Sequence, residues 1–308
     1  MTDQKSQGTA QRKLANGVAI LAGLCALLIV SIVCILLAII VYNGAGSISW
    51  GFLTKAPEDS MTHGGIYPAI FGTAALVVLM SVAVVPVGAM TAVYMHEYGR
   101  GRFVEIIRTA VQNLAGVPSI VFGLFGVGFF IMFVGQGMDK AMGNQELVWG
   151  KPCLLWAAMT LALLTLPVVV VSTEEALRAV PREYREASLA LGATKWQTTW
   201  RIIVPRAAPG ILTGAILSIS RGAGEVAPIL FTGAAYYMAE IPKMQDLAHS
   251  QFMELGYHVY IMSTQSVNVD ETMPIQYATT LVLLLLTFSL NFTAILLRSR
   301  TRSKMGHA

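Results

Sequence analysis

The chain has 308 residues, of which 55% are hydrophobic and 12% charged, with a net charge of +4. Soluble domains carry about a quarter charged residues, so this balance, with a mean hydropathy of +0.63, selects the membrane class. It excludes a nucleic-acid binder, because the basic excess is spread along the chain beside apolar runs rather than gathered in one patch.

Six apolar spans follow one another. Val18 to Tyr42 carries no charge and is too long for the apolar core of a signal peptide, so it reads as a retained anchor helix. Ile66 to Met95 follows with Pro86 inside it, then the glycine-rich Thr109 to Val134, then Cys153 to Thr173 with Pro167. Arg206 to Gly233 is the fifth span and Ile275 to Leu297 the sixth. Each exceeds the roughly 20 residues that cross a hydrocarbon core. Glycine and proline within such spans are ordinary in membrane helices. The three cysteines form no Cys-x-x-Cys, and Cys25, Cys34 and Cys153 read as small buried hydrophobes.

Basic residues orient the spans. With the N-terminus in the cytoplasm, 16 of them, from Lys5, Arg12 and Lys13 through Arg100, Arg182 and Arg201 to Arg300, Arg302 and Lys304, fall on that side. Only 4 (Lys55, Lys140, Lys151 and Lys243) fall on the other. The positive-inside rule then puts both termini in the cytoplasm, with the basic excess facing anionic lipid. The outer loops are 43–65, 135–152 and 234–274; the last is polar, with tyrosines that suit an interfacial belt. The charges at 97–105 read as a plain cytoplasmic turn.

The cytoplasmic loop at about 174–205 is too long and too patterned for a simple connector. Its charges alternate with Ala176, Leu177, Ala179 and Val180, as on two short helices around Gly192. Gly192 is expected in a left-handed turn that no side chain fits, and Pro205 at the restart of a helix. The product is a charged helix–turn–helix knob fixed at both ends to membrane helices, the form needed to pass force from a soluble partner into the bilayer.

The fifth span holds the chemical anomaly. Arg221 lies about 22 Å beyond Arg206 at 1.5 Å per residue, well inside the membrane. A charge there costs roughly 2.5–3.5 kcal/mol and should face a polar cavity or a partner. Glu225, four residues on, makes an ion pair one possibility and a substrate contact another. Gly222 and Gly224 leave backbone accessible beside the pair, and the planar fork of arginine suits an oxyanion.

Three motifs carry a family resemblance. Glu186-Ala187-Ser188-x-x-x-Gly192, nine residues, then Ile202-x-Val204-Pro205 resembles the E-A-A-x-x-x-G…I-x-L-P loop of ABC-importer permeases, departing from it at Ser188 and Val204. Arg221-Gly-Ala-Gly224-Glu225-Val-Ala-Pro228 and Asn113-Leu-Ala-Gly116-Val-Pro118-Ser119 resemble segments of PstA-type permeases of phosphate importers. That resemblance implies an all-α polytopic fold with six transmembrane helices of the MetI-like permease type. Residues 1–43 would be a cytoplasmic tail and anchor helix, and 66–300 the permease domain. It also implies a heterodimer with a PstC-like permease, a PstB-like ATPase dimer that binds the ATP and Mg, and a PstS-like extracytoplasmic phosphate-binding protein. Glu186, Ala187, Ser188, Gly192 and Pro205 would then couple to the ATPase. Arg221, Gly222, Gly224, Glu225, Pro118 and Ser119 would line the substrate pathway, although close helix packing accounts equally well for Gly116, Pro118 and Ser119.

Catalytic and cofactor patterns are absent from the sequence. It contains no G-x-x-x-x-G-K-[ST], no His-Glu-x-x-His and no Gly-x-Ser-x-Gly, and the histidines lack metal-ligand spacing. A transport subunit without its own cofactor, and without nucleic acid as a partner, is the reading. Its rivals are a permease for sulfate or molybdate, and a secondary transporter, which would be expected to show an inverted repeat.

Overall fold

The computed structural model describes residues 2–58, 61–266 and 269–305; side chains before residue 16, of Leu297 and from residue 300 onward are outside that set. Lys5, Arg12, Lys13, Arg300, Arg302 and Lys304, used above for orientation, therefore lie outside the described side chains. Helix α1 (Thr2–Gly44) leads to a short 3-10 turn (Ala45–Ser47), α2 (Trp50–Thr54) and a two-residue antiparallel pair, β1 (Pro57–Glu58) and β2 (His63–Gly64). Helix α3 (Tyr67–Val93) contains Pro86 and ends in a π-helical turn, Tyr94–Tyr98.

The third span differs from its sequence boundaries. An amphipathic helix, α4 (Arg102–Leu114), takes up Thr109, and the chain breaks at 115–118 before α5 (Ser119–Phe125) starts. A π-helical stretch (Gly126–Gly135) and α6 (Gln136–Met142) carry it on. The apolar run alone could not show this, because Leu114, Ala115 and Val117 hide the break. Pro118 sits just ahead of α5, not inside a helix.

Helix α7 (Leu154–Arg178) is the hub: two thirds of its apolar window is buried, against a third or less in the other spans. Lipid supplies no hydrophobic drive between helices, so close approach of small residues supplies the contact. A Cβ added to Gly88 of α3 would meet Val169 at 2.8 Å, and one added to either Gly210 or Gly214 would meet Ala176 or Ser172 of α7. Gly210 and Gly214 belong to α10 and are packing residues. After α7 come α8 (Arg182–Ala190) and α9 (Lys195–Thr198), a π-helical turn (Thr199–Ile203) and α10 (Val204–Gly222). The helix through Pro205 thus begins ten residues before it, and the π turn precedes the proline.

The fifth span also corrects its boundaries. Residues 223–228 form a turn, and only the four-residue α11 (Ile229–Thr232) follows. The segment 234–274, read as a polar outer loop, is partly folded into the bundle. Ala234 bridges Phe252, Met253 lies under Gly72 with no room for a Cβ, and α12 (Leu255–Gln265) follows. Helix α13 (Val269–Met305) closes the chain and packs on α1, α10 and α12. Cys153 is buried, but Cys25 and Cys34 are exposed on α1, none of whose apolar window is buried by protein.

Candidate translocation and coupling sites

Antiparallel contacts between α10 and α7 fix the depth of Arg221. Gly210 faces Ala176, Gly214 faces Ser172, and Gly222 faces Thr165 and Met80. Thr165 is the twelfth of the 25 residues in α7, and Met80 the fourteenth of the 27 in α3. The end of α10 therefore stands at the midpoint of the bundle, and the irregular turn 223–228 occupies that level. Non-helical backbone at such depth is tolerated only where protein buries it or a wet cavity adjoins it. Here Gly222 and Ala223 are buried, while Arg221 and Gly224 are exposed.

Arg221 and Glu225 face each other across the turn with Nε 3.6 Å from Oε1, and their side chains are 42% and 22% exposed. That separation exceeds a hydrogen bond. Among the described residues no other group pairs with the Arg221 guanidinium, so its donors remain free. A Cβ on Gly224 would meet nothing within 4 Å, which leaves open space beside the fork. The second break adjoins the first: a Cβ on Gly123 of α5 would meet Cα and O of Pro228 at 3.1 Å. Pro118 is exposed and Ser119 half-buried at the start of that same α5.

The knob is smaller than the segment 174–205. Ser172 and Glu174 belong to α7, where Glu174 is buried and accepts a hydrogen bond of 2.6 Å from Arg108 of α4. What projects is α8, the turn Leu191–Ala193 and α9. Glu186 and Ala187 are exposed on α8. Ser188 is buried, its hydroxyl 2.9 Å from Thr198 Oγ1, so it holds α8 to α9 rather than offering a surface. Thr194 caps α9 in a capping box with Gln197, and Arg206 lies 3.6 Å over the Tyr184 ring. Gly192 has φ +84°, the left-handed value expected, yet nothing lies within 4 Å of an added Cβ. The backbone demands glycine there; lack of space does not, which corrects the sequence expectation.

Sequence reasoning missed two sets of residues. The stretch 97–105 is not a plain turn: Glu97 is 9% exposed and bound by Arg185 at 2.6 Å. Only the pairing of residues 88 apart in sequence shows it, and no local pattern signals that. Glu254 and His258 are also buried, at the entry to α12, in the segment read as a polar outer loop. Glu254 accepts from the N–H groups of Gly256 and Tyr257, yet burial pushes its carboxyl up to about 7. Burial likewise pushes His258 down to about 4, and its Nδ1 has no partner among the described residues.

Six membrane-length helices, two of their segments broken beside a charged pair, and an amphipathic knob at one end define a multi-pass permease of the ABC-importer type. The chain belongs to the family of binding-protein-dependent transport system inner membrane components, whose model matches residues 84–303. It is 39% identical over 227 residues to the phosphate transport system permease protein PstA of Mycobacterium leprae, covering 72% of this chain and 70% of that one. It is 32% identical over 271 residues to the probable ABC transporter permease protein YqgI of Bacillus subtilis, covering 84% and 85%. The PstA-type resemblance read from three motifs thus extends over most of the chain. A solved structure of the MetNI methionine ABC transporter shares the fold, with TM-score 0.53 at 18% identity over 77% of this chain and 94% of that one.

Proposed function

We propose that this permease subunit moves inorganic phosphate into the cell, past Arg221 and Glu225, driven by ATP hydrolysed on a partner that docks on the α8–α9 knob. The observation that carries the reading is the loose pair at the midpoint of the bundle, an arginine whose fork is free beside an irregular turn and open space. Near neutral pH, phosphate is a mixture of mono- and dianion and keeps a proton to donate, unlike sulfate. Arg221 supplies donors to the anion and a Glu225 carboxylate oxygen accepts a hydrogen bond from the phosphate O–H, which a fully deprotonated oxyanion cannot offer. The names of the PstA relatives support phosphate over other oxyanions.

The assembly in this reading contains a PstC-like second permease, a PstB-like ATPase dimer holding ATP and Mg, and a PstS-like phosphate-binding protein on the outer side. Both termini and the knob face the cytoplasm. Residues 66–300 act as the permease domain; Glu186, Ala187 and Gly192 engage the ATPase, with Ser188 and Pro205 shaping the knob. Gly224, Pro118 and Ser119 lie along the pathway, while Gly222, expected there from the sequence, is buried against Met80 and packs behind them. The deciding test is labelled-phosphate uptake by cells carrying Arg221→Ala, with unlabelled sulfate as competitor. Uptake at the wild-type rate with normal membrane abundance would remove the translocation role. A wild-type protein blocked equally by sulfate would instead make the substrate a broader oxyanion.

A further inference from the structure

Arg185 sits one residue before Glu186, and its side chain points inward while Glu186 points out. It is 21% exposed, and all three of its guanidinium nitrogens donate to protein acceptors. Nη2 and Nε donate to Glu97 Oε1 at 2.6 and 3.1 Å; Nη1 donates to the Val180 carbonyl and Nη2 to the Leu177 carbonyl, both at 3.2 Å. Nη2 also lies 3.3 Å from His96 Nε2. One side chain on α8 therefore holds two other segments: the end of α7, through the Leu177 carbonyl and the Val180 carbonyl just beyond the helix, and the π-helical turn that ends α3.

The covalent chain fastens the knob to α7 through residues 179–181 and to α10 through the continuous helix from Lys195. To α3 it fastens nothing nearby. An apolar cluster of Val93, Leu177, Val180 and Ile203 also spans this junction, but such contacts are non-directional and permit sliding. A guanidinium forked across a carboxylate and two carbonyls fixes register. We infer that Arg185 is a positioning residue for coupling: it clamps the knob to the ends of α3 and α7 together, so that a displacement of α8 moves both central helices as one body. Because α3 and α7 carry Met80 and Thr165, which flank Gly222, the clamp connects the knob to the level of Arg221.

This inference rests on the reading that an ATPase docks on the knob. Its test uses the purified complete transporter in liposomes with the phosphate-binding protein, measuring ATP hydrolysed per phosphate accumulated. Arg185→Gln should raise that ratio roughly 10-fold while subunit abundance and ATPase co-purification stay normal, on the scale of one lost charged hydrogen bond. Glu97→Gln should shift it in the same direction by less. The double variant should be no worse than Arg185→Gln alone, because residues in one network couple non-additively. Arg185→Lys, which keeps a point charge on Glu97 but loses the fork, should fall between, and it carries the test if Arg185→Gln does not accumulate. An unchanged ratio in these variants, or additive effects, overturns the clamp. Failure of any ATPase to co-purify with the wild-type chain would overturn the docking reading instead.

Discussion

Two arginines of this chain each face a glutamate, and the two pairs are built in opposite ways. Arg185 is held at 2.6 Å by Glu97 and by two carbonyls, in a site where both side chains are largely covered. Arg221 stands 3.6 Å from Glu225, half open, with no hydrogen bond closing the pair among the described residues. A largely covered arginine whose three nitrogens all donate to protein acceptors offers little to a ligand, and its loss leaves an uncompensated carboxylate. An arginine with unused donors at the middle of a membrane bundle has hydration or a substrate as its partner. Residue type alone does not separate structure from function here; the satisfaction of the fork does.

The largest effect that sharpens this contrast is Arg221→Ala. Losing charged hydrogen bonds worth about 1.5–3 kcal/mol should reduce phosphate uptake roughly 10- to 100-fold, with thermal stability of the purified complex unchanged. Arg221→Lys should lie between, since it keeps charge without the fork. Arg185→Gln should lower the melting temperature, because it leaves Glu97 without its partner; if either Arg221 variant lowers it as much, the two arginines are of one kind and the contrast breaks. Glu225→Gln should weaken uptake less than Arg221→Ala and relax exclusion of sulfate in a transporter that bypasses the binding protein.

A smaller effect is expected at Gly192. Its φ of +84° makes any β-carbon unfavourable by about 1–2 kcal/mol, while the space around it is open. Gly192→Asn, which tolerates the left-handed region, should therefore stay near wild type; Gly192→Ala should uncouple hydrolysis from uptake, and the β-branched Gly192→Val should do so more. An asparagine as damaging as valine would show that the assembled complex crowds the turn.

The smallest effect is a pH dependence. Glu254 titrates at about 7 when folded, above its usual 4.5, so the folded state binds the extra proton and stability falls as pH rises between those values. His258 at about 4 lies below its usual 6.5, so stability rises with pH across 4 to 6.5. The opposite slopes nearly cancel in the wild type. Glu254→Gln should leave a rising profile and His258→Gln a falling one, read from exchange of the Leu255 N–H that Thr73 Oγ1 accepts. Flat profiles in both variants would mean that neither group is buried in the complete complex, and so that neither adds to the contrast between satisfied and open charges.

Much of this protein was legible before any coordinates. Apolar length defined the number of spans, because a helix crossing lipid must satisfy its own backbone and shows that need as composition. The knob, its glycine turn and the odd charge at 221 were visible for the same reason: each interrupts a simple pattern. Tertiary structure alone decided where the breaks fall within the apolar runs, since Ala115, Val117 and Ala223 are apolar whether helical or not. It alone paired Arg185 with Glu97 and Arg108 with Glu174, contacts between residues 88 and 66 apart in sequence. It alone buried Glu254 and His258 in a stretch that reads as a polar outer loop. The use of a charge depends on the neighbours that fill its hydrogen bonds, and in a bundle those neighbours come from distant helices.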